Sequence, residues 1–150
     1  MNPVFPHRRS PRLHGYNYSS EGLYFVTICT DRRRMLFGGI TNSAMNLNEA
    51  GKIVHATWSE MFRFSEDGDT WVVMPNHIHG IIAIGGVNVD GPRIAPTSKP
   101  LGRLIAAFKT VSTKRINAIS GTPGAAIWQR NFYEHIIGND RALKQIVAYI

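Results

Sequence analysis

Two apolar β-type runs separated by two turn residues restrict this chain more than any other feature. Asp69 to Met74 and His77 to Ile84 are rich in Trp, Val and Ile, and Pro75-Asn76 between them supplies a tight turn. An antiparallel hairpin is expected. Side chains alternate faces along a strand, so His77 and His79 leave the second strand on one side and Ile78 on the other. Two neutral imidazoles held side by side offer two corners of a divalent-metal site, which needs further ligands from elsewhere. Spacing alone favours the plainer reading, two separately hydrogen-bonded histidines near a strand edge.

The flanking patterns place this hairpin in a fold. Tyr24-Phe25-Val26-Thr27-Ile28-Cys29-Thr30 is β-branched and aromatic, ended by Asp31 and three arginines, and is expected to be a first strand buried on both faces. From Asn46 the apolar period becomes helical, with Ile53, Val54, Thr57, Trp58 and Met61 on one stripe and Asn46 with Glu49 resembling a capping box. This predicts a helix to about Phe64. Gly85 to Pro100 is rich in glycine and proline and reads as a loop outside the core. Leu101 to Ile119 predicts a second helix with Leu104, Ile105, Phe108, Val111, Ile116 and Ile119 inward, and Arg103, Thr110, Thr113 and Lys114 on the other side. Ile127 to Ile137 reads as a fourth strand, and Gly138-Asn139-Asp140 stops it and caps a last helix with Leu143, Ile146, Val147 and Ile150 on its apolar face. The order β-α-β-β-α-β predicts an α+β, ferredoxin-like domain: a four-stranded antiparallel sheet with an extra C-terminal helix. Its first and third strands are central, which puts both histidines mid-sheet.

With 150 residues, 43% of them hydrophobic, the chain suits one domain over 1–150. It shows no internal repeat, no apolar run long enough to span a bilayer and no signal-peptide pattern, so a cytoplasmic protein with no membrane partner is expected. The single cysteine, Cys29, excludes an internal disulfide and reads as a small hydrophobe. Lys and Arg number 17 against 10 Asp and Glu, a net charge of +7, which points to a polyanionic partner and first to nucleic acid. Residues 1–34 hold Arg8, Arg9, Arg12, Arg32, Arg33 and Arg34 against Glu21 and Asp31. Arginine in all six places suits bidentate phosphate contacts, although a solvated basic segment has the same composition.

A metal on a rigid sheet in a phosphate-attracting protein suggests phosphoryl transfer. The nucleophile is harder to find. Cys29 lies in a strand with no neighbouring histidine in sequence, and no serine or threonine has triad or elbow spacing. Five tyrosines remain: Tyr16, Tyr18, Tyr24, Tyr133 and Tyr149. Tyr24 suits the core, and Tyr133 on the fourth strand is two strands from the histidines, about 10 Å away. Tyr149 falls at the margin of the last helix's apolar stripe, where its hydroxyl could approach a bound metal or simply face water.

Taken together, these segments resemble the REP-associated tyrosine transposases, single-tyrosine members of the HUH nuclease superfamily. The resemblance is carried by Tyr24 to Thr30, Trp71-Val72-Val73-Met74-Pro75-Asn76-His77-Ile78-His79-Gly80, Leu101-Gly102-Arg103, Phe108-Lys109 and Ile127 to Ile137, in order over nearly the whole chain. It implies an enzyme that cleaves and rejoins single-stranded or hairpin DNA as a homodimer. His77 and His79 would bind Mg²⁺ or Mn²⁺, and Tyr149 would be the nucleophile, forming a 5′-phosphotyrosine link. Arg32, Arg33, Arg34, Arg103, Lys109 and Lys114 are the candidate DNA-binding residues. Members of the family usually carry a polar metal ligand four positions after the tyrosine. This sequence ends at Ile150, so either the C-terminal helix is cut short, or the ligand comes from elsewhere or from water, or the site is defective; weaker metal binding and cleavage than in a longer form are expected. Two other readings of the same residues are a non-catalytic nucleic-acid-binding module and a phosphoesterase that uses water.

Overall fold

A computed structural model describes residues 22–62, 70–84, 96–97 and 100–150. Its elements are strands β1 (Gly22–Cys29), β2 (Gly38–Thr41) and β3 (Ala44–Leu47), helix α1 (Glu49–Phe62), and strands β4 (Trp71–Met74), β5 (His77–Ile84) and β6 (Pro96–Thr97). Helix α2 (Leu101–Ser120), strand β7 (Tyr133–Ile137) and helix α3 (Asp140–Tyr149) follow. The main sheet runs β4-β5-β1-β7, and each neighbouring pair along that path is antiparallel. With α1 and α2 as crossovers this is the expected ferredoxin-like order, with β1 and β5 central and α3 added. Among the described residues no helix is long and apolar enough to cross a membrane.

Strand alternation divides the molecule into three layers. Tyr24, Val26, Ile28, Ile78, Ile82 and Ile84 are buried against Val54 and Trp58 of α1 and Leu101, Leu104, Ile105 and Phe108 of α2. Each such side chain contributes about 1.5–3 kcal/mol by leaving water. The opposite face carries a smaller cluster, in which Leu23, Ile81, Ala83 and Ile137 meet Leu143 of α3, with Ile146 and Val147 half-buried beside it. Helix α3 has ten residues and covers one end of that face. Phe25 packs half-buried against the same cluster, and at the other end Thr27 and Cys29 are half-buried. Strand β1 is therefore not buried on both faces along its length, as its composition suggested.

Gly80 shows how closely the layers approach. A Cβ on it would lie 2.2 Å from Cζ2 of Trp58, whose side chain is fully buried. The α1 indole thus packs on bare backbone one residue after His79. This explains a glycine in the middle of a core strand.

Several boundaries differ from the sequence pattern. Helix α1 begins at Glu49 rather than Asn46, because residues 44–47 form β3, paired with β2 through a turn in which Asn42 (φ 53°) and Ser43 (φ 62°) are both left-handed. The cap is Asn48, whose Oδ1 accepts from Gly51 N at 2.8 Å, so the Asn46–Glu49 capping box does not form. The fourth strand is shorter than Ile127–Ile137. Trp128 makes an isolated bridge to Thr30, and its Nε1 donates to Ser112 Oγ at 2.9 Å. Regular pairing resumes at Tyr133 after Lys109 Nζ has donated to the carbonyls of Gln129, Arg130 and Asn131 at 2.7, 3.2 and 3.1 Å. Within the expected Gly85–Pro100 loop, Pro96–Thr97 pairs parallel to Ala83–Ile84. Residues 85–95 and 98–99, the helix end at 63–64, Tyr16, Tyr18 and the arginines at 8, 9 and 12 lie outside the described residues.

The packing at Gly80 yields a direct expectation. Gly80→Ala should lower unfolding free energy by about 1–3 kcal/mol, the usual cost of overpacking, measured by urea titration. An unchanged midpoint would contradict the close approach of Trp58.

Candidate active site

The β1–β5 register builds the site. Thr27 pairs with His79 and Cys29 with His77, while Val72 and Met74 flank the histidines from β4. His77 and His79 lie on the face that α3 partly covers. Both are half-buried, with ring centroids 4.4 Å apart and Nε2 atoms 2.9 Å apart. Their Nδ1 atoms point away from each other. His77 Nδ1 lies 2.8 Å from Asn76 Oδ1, and His79 Nδ1 lies 2.8 Å from Thr27 Oγ1. Phe25 stacks on His79 with centroids 5.4 Å apart and planes inclined by 22°.

Electrostatics keep both rings neutral. Burial lowers His77, and the nearby Arg33 guanidinium lowers it further. Burial and then His77 push His79 down from 6.5 to about 4. Neutral imidazoles with converging Nε2 atoms are what a divalent cation requires. Adjacent corners of an octahedron with bonds of ~2.1 Å lie about 3.0 Å apart, so the 2.9 Å separation fits two ligands to one ion. Among the described residues no cluster of three or more His, Cys, Asp or Glu could complete such a site. The pair fits as half of a metal site.

Helix α3 brings the tyrosine. Asn139 caps it, its Oδ1 accepting from Ala142 N at 2.8 Å, and Leu143 anchors it on the sheet. Tyr149 in its last turn is 69% exposed, with its ring edge-on to His79 at 5.5 Å and to Phe25 at 6.3 Å between centroids. The fold therefore brings His77, His79 and Tyr149 together. Tyr133 is on β7 opposite Thr27, so a whole strand separates it from His79.

The candidate DNA contacts are scattered. Arg32 (φ 55°) and Arg33 (φ 54°) sit in a left-handed turn just beyond β1, and Arg33 is near enough to influence His77. Arg34 stays exposed but is tied to its own surface, its Nη2 donating to Ala126 O at 2.8 Å and lying 3.5 Å from Asp31 Oδ2. Arg103 and Lys114 are exposed on α2, across the sheet from the histidines. Lys109 gives its ammonium to three carbonyls, and burial lowers its pKa to about 8 against the pull of Cys29. Thr27, Asn76 and Phe25 were not singled out from sequence. Neither was the register that gives them a role, because it pairs residues about fifty positions apart.

No protein-family model matches the chain. An uncharacterized protein of Haemophilus influenzae is 40% identical, over 99% of this chain and 89% of its own length. The two chains belong to one family. Among solved structures, a REP-associated tyrosine transposase bound to a REP hairpin superposes with TM-score 0.52 at 21% identity, covering 95% of this chain and 70% of that one. A "putative transposase" from Deinococcus radiodurans R1 gives TM-score 0.50 at 14% identity, covering 92% and 95%. At these identities the likeness is one of fold. The chain has the fold of the transposases its motifs resemble.

The depressed histidine pKa values set a pH dependence. In the unfolded chain a histidine titrates near 6.5, whereas in the fold His79 stays neutral to about 4. Above pH 6.5 neither state binds the proton. Between 6.5 and 4 the unfolded state binds protons that the fold refuses, so stability falls as pH falls. Urea midpoints at pH 7, 6 and 5 should decline less steeply for His79→Gln than for the wild-type chain; parallel declines would contradict the burial argument.

Proposed function

We propose that this protein is a metal-dependent DNA strand-transferase that works through Tyr149. The supporting observation is the Tyr149 ring standing edge-on to His79, beside the converging Nε2 pair. In this reading His77 and His79 hold Mn²⁺ or Mg²⁺. The two-imidazole donor set favours Mn²⁺, since Mg²⁺ prefers oxygen ligands. When bound, the cation supplies Lewis-acid polarisation of the scissile phosphate. Arg33, beside His77, adds positive charge for the same phosphate or its neighbour, and the net charge of +7 draws the DNA backbone in.

Tyr149 Oη attacks phosphorus, the P–O3′ bond breaks, and the 3′ oxygen leaves and takes a proton. A 5′-phosphotyrosine results. The phosphodiester is conserved, so attack by another 3′-hydroxyl rejoins a strand and frees Tyr149 without a nucleotide cofactor. The substrate class is single-stranded or hairpin DNA, consistent with the hairpin named for the solved transposase. A homodimer, implied by the family resemblance, is part of the same proposal.

A second reading has its own support. Phe25 and Tyr133 are half-buried and His135 is exposed, and pairing places all three on the histidine face. Such a row could bind single-stranded nucleic acid without chemistry. One assay separates the readings: incubation with 5′-labelled and 3′-labelled hairpin DNA and Mn²⁺, then denaturing electrophoresis. The proposal expects a covalent adduct, absent from Tyr149→Phe and retained by Tyr133→Phe. Binding without any adduct favours the module, and cleavage that survives Tyr149→Phe favours a water-using phosphoesterase.

A further inference from the structure

The partners of the two histidines differ in kind. Asn76 Oδ1 can only accept, and the same orientation of the amide turns Nδ2 towards Arg33 O, 3.5 Å away. The turn that carries it is firmly seated. Thr30 N donates to Asn76 O at 2.9 Å and Phe37 N to Pro75 O at 3.0 Å. The fully buried Thr30 donates its hydroxyl to Arg34 O at 2.8 Å, with Asn76 O 3.2 Å away. Thr27 Oγ1 can both donate and accept.

We infer that Asn76 and Thr27 are positioning residues at the two ends of a one-way hydrogen-bond chain that puts the histidines in opposite tautomers when no cation is bound. His77, forced to carry its hydrogen on Nδ1 by Asn76, has a bare Nε2. The 2.9 Å contact between the Nε2 atoms then needs its hydrogen from His79. His79 consequently has a bare Nδ1, which accepts from Thr27 Oγ1 at 2.8 Å. The chain runs Thr27, His79, His77, Asn76, with each member donating to the next.

This polarity gives the two residues different duties, and it rests on the metal reading above. His77 is ready to act as a ligand at all times. His79 becomes one only when its hydrogen moves to Nδ1, and Thr27 allows this by rotating its hydroxyl from donor to acceptor. A group with only one of those capacities would lock His79 in one form. The one-way chain thus accounts for a hydroxyl at 27 and a side-chain acceptor at 76.

Nitrogen-15 NMR of the full chain, metal-free at pH 7.5, reads the tautomers directly. The expected result is an Nδ1–H form for His77 and an Nε2–H form for His79. Asn76→Ala should erase the preference of His77, and Asn76→Asp, which keeps the acceptor, should restore it. Calorimetric Mn²⁺ titration should show about 10–100-fold weaker binding for Thr27→Val, largely recovered in Thr27→Ser. Finding His77 in the Nε2–H form in the wild-type chain would overturn the inference, as would a tautomer unchanged by Asn76→Ala. Failure of the wild-type chain to bind Mn²⁺ would instead overturn the metal reading, while the tautomers decide the inference separately.

Discussion

Everything at the candidate site depends on the register of β1 against β5. Thr27 opposite His79 and Cys29 opposite His77 put both imidazoles on the face that α3 shares, with Ile78 between them in the main core. A slip of one residue would exchange the faces, driving the imidazoles towards Trp58 and Phe108 and Ile78 into the site. The register is held by burial on both sides. Tyr24, Val26 and Ile28 fit against α1 and α2, and Leu23, Ile81 and Ala83 fit beneath α3. Gly80 adds a steric pin, since no other residue type on β5 leaves room for the Trp58 indole.

Stability and chemistry compete at this point. Both histidines are withdrawn from water far enough to remain neutral, at the cost of acid sensitivity. The cost is useful, because a protonated imidazole cannot be a ligand. The proposed nucleophile is treated differently. Tyr149 lies in the last turn of a helix held by the smaller core, with its ring largely in solvent. In the proposed function a rigid sheet carries the groups that converge on the cation, and a lightly anchored helix carries the group that meets a DNA strand from outside.

The sequence made much of this legible. Period-two and helical patterns gave the strand and helix order, and alternation along His77-Ile78-His79 placed two imidazoles on one face. Contacts between distant segments were not legible. Nothing local to Thr27 marks it as a partner of His79, and nothing near Lys109 shows that its ammonium is taken by the carbonyls of residues 129–131 rather than offered to DNA. The β2–β3 hairpin was masked because Asn46 and Glu49 mimic a helix cap, while Asn48 is the residue that caps. Basic residues on α2 looked equivalent to those after β1 until the layers put Arg103 and Lys114 across the sheet from the histidines.

The central claim is that two neutral imidazoles on one strand act as a single cation site beside Tyr149. Calorimetric titration of the wild-type chain, His77→Ala and His79→Ala with Mn²⁺ tests it most directly. The account predicts one ion per chain for the wild type and loss of that binding in each single variant. Undiminished Mn²⁺ binding in either variant would contradict it.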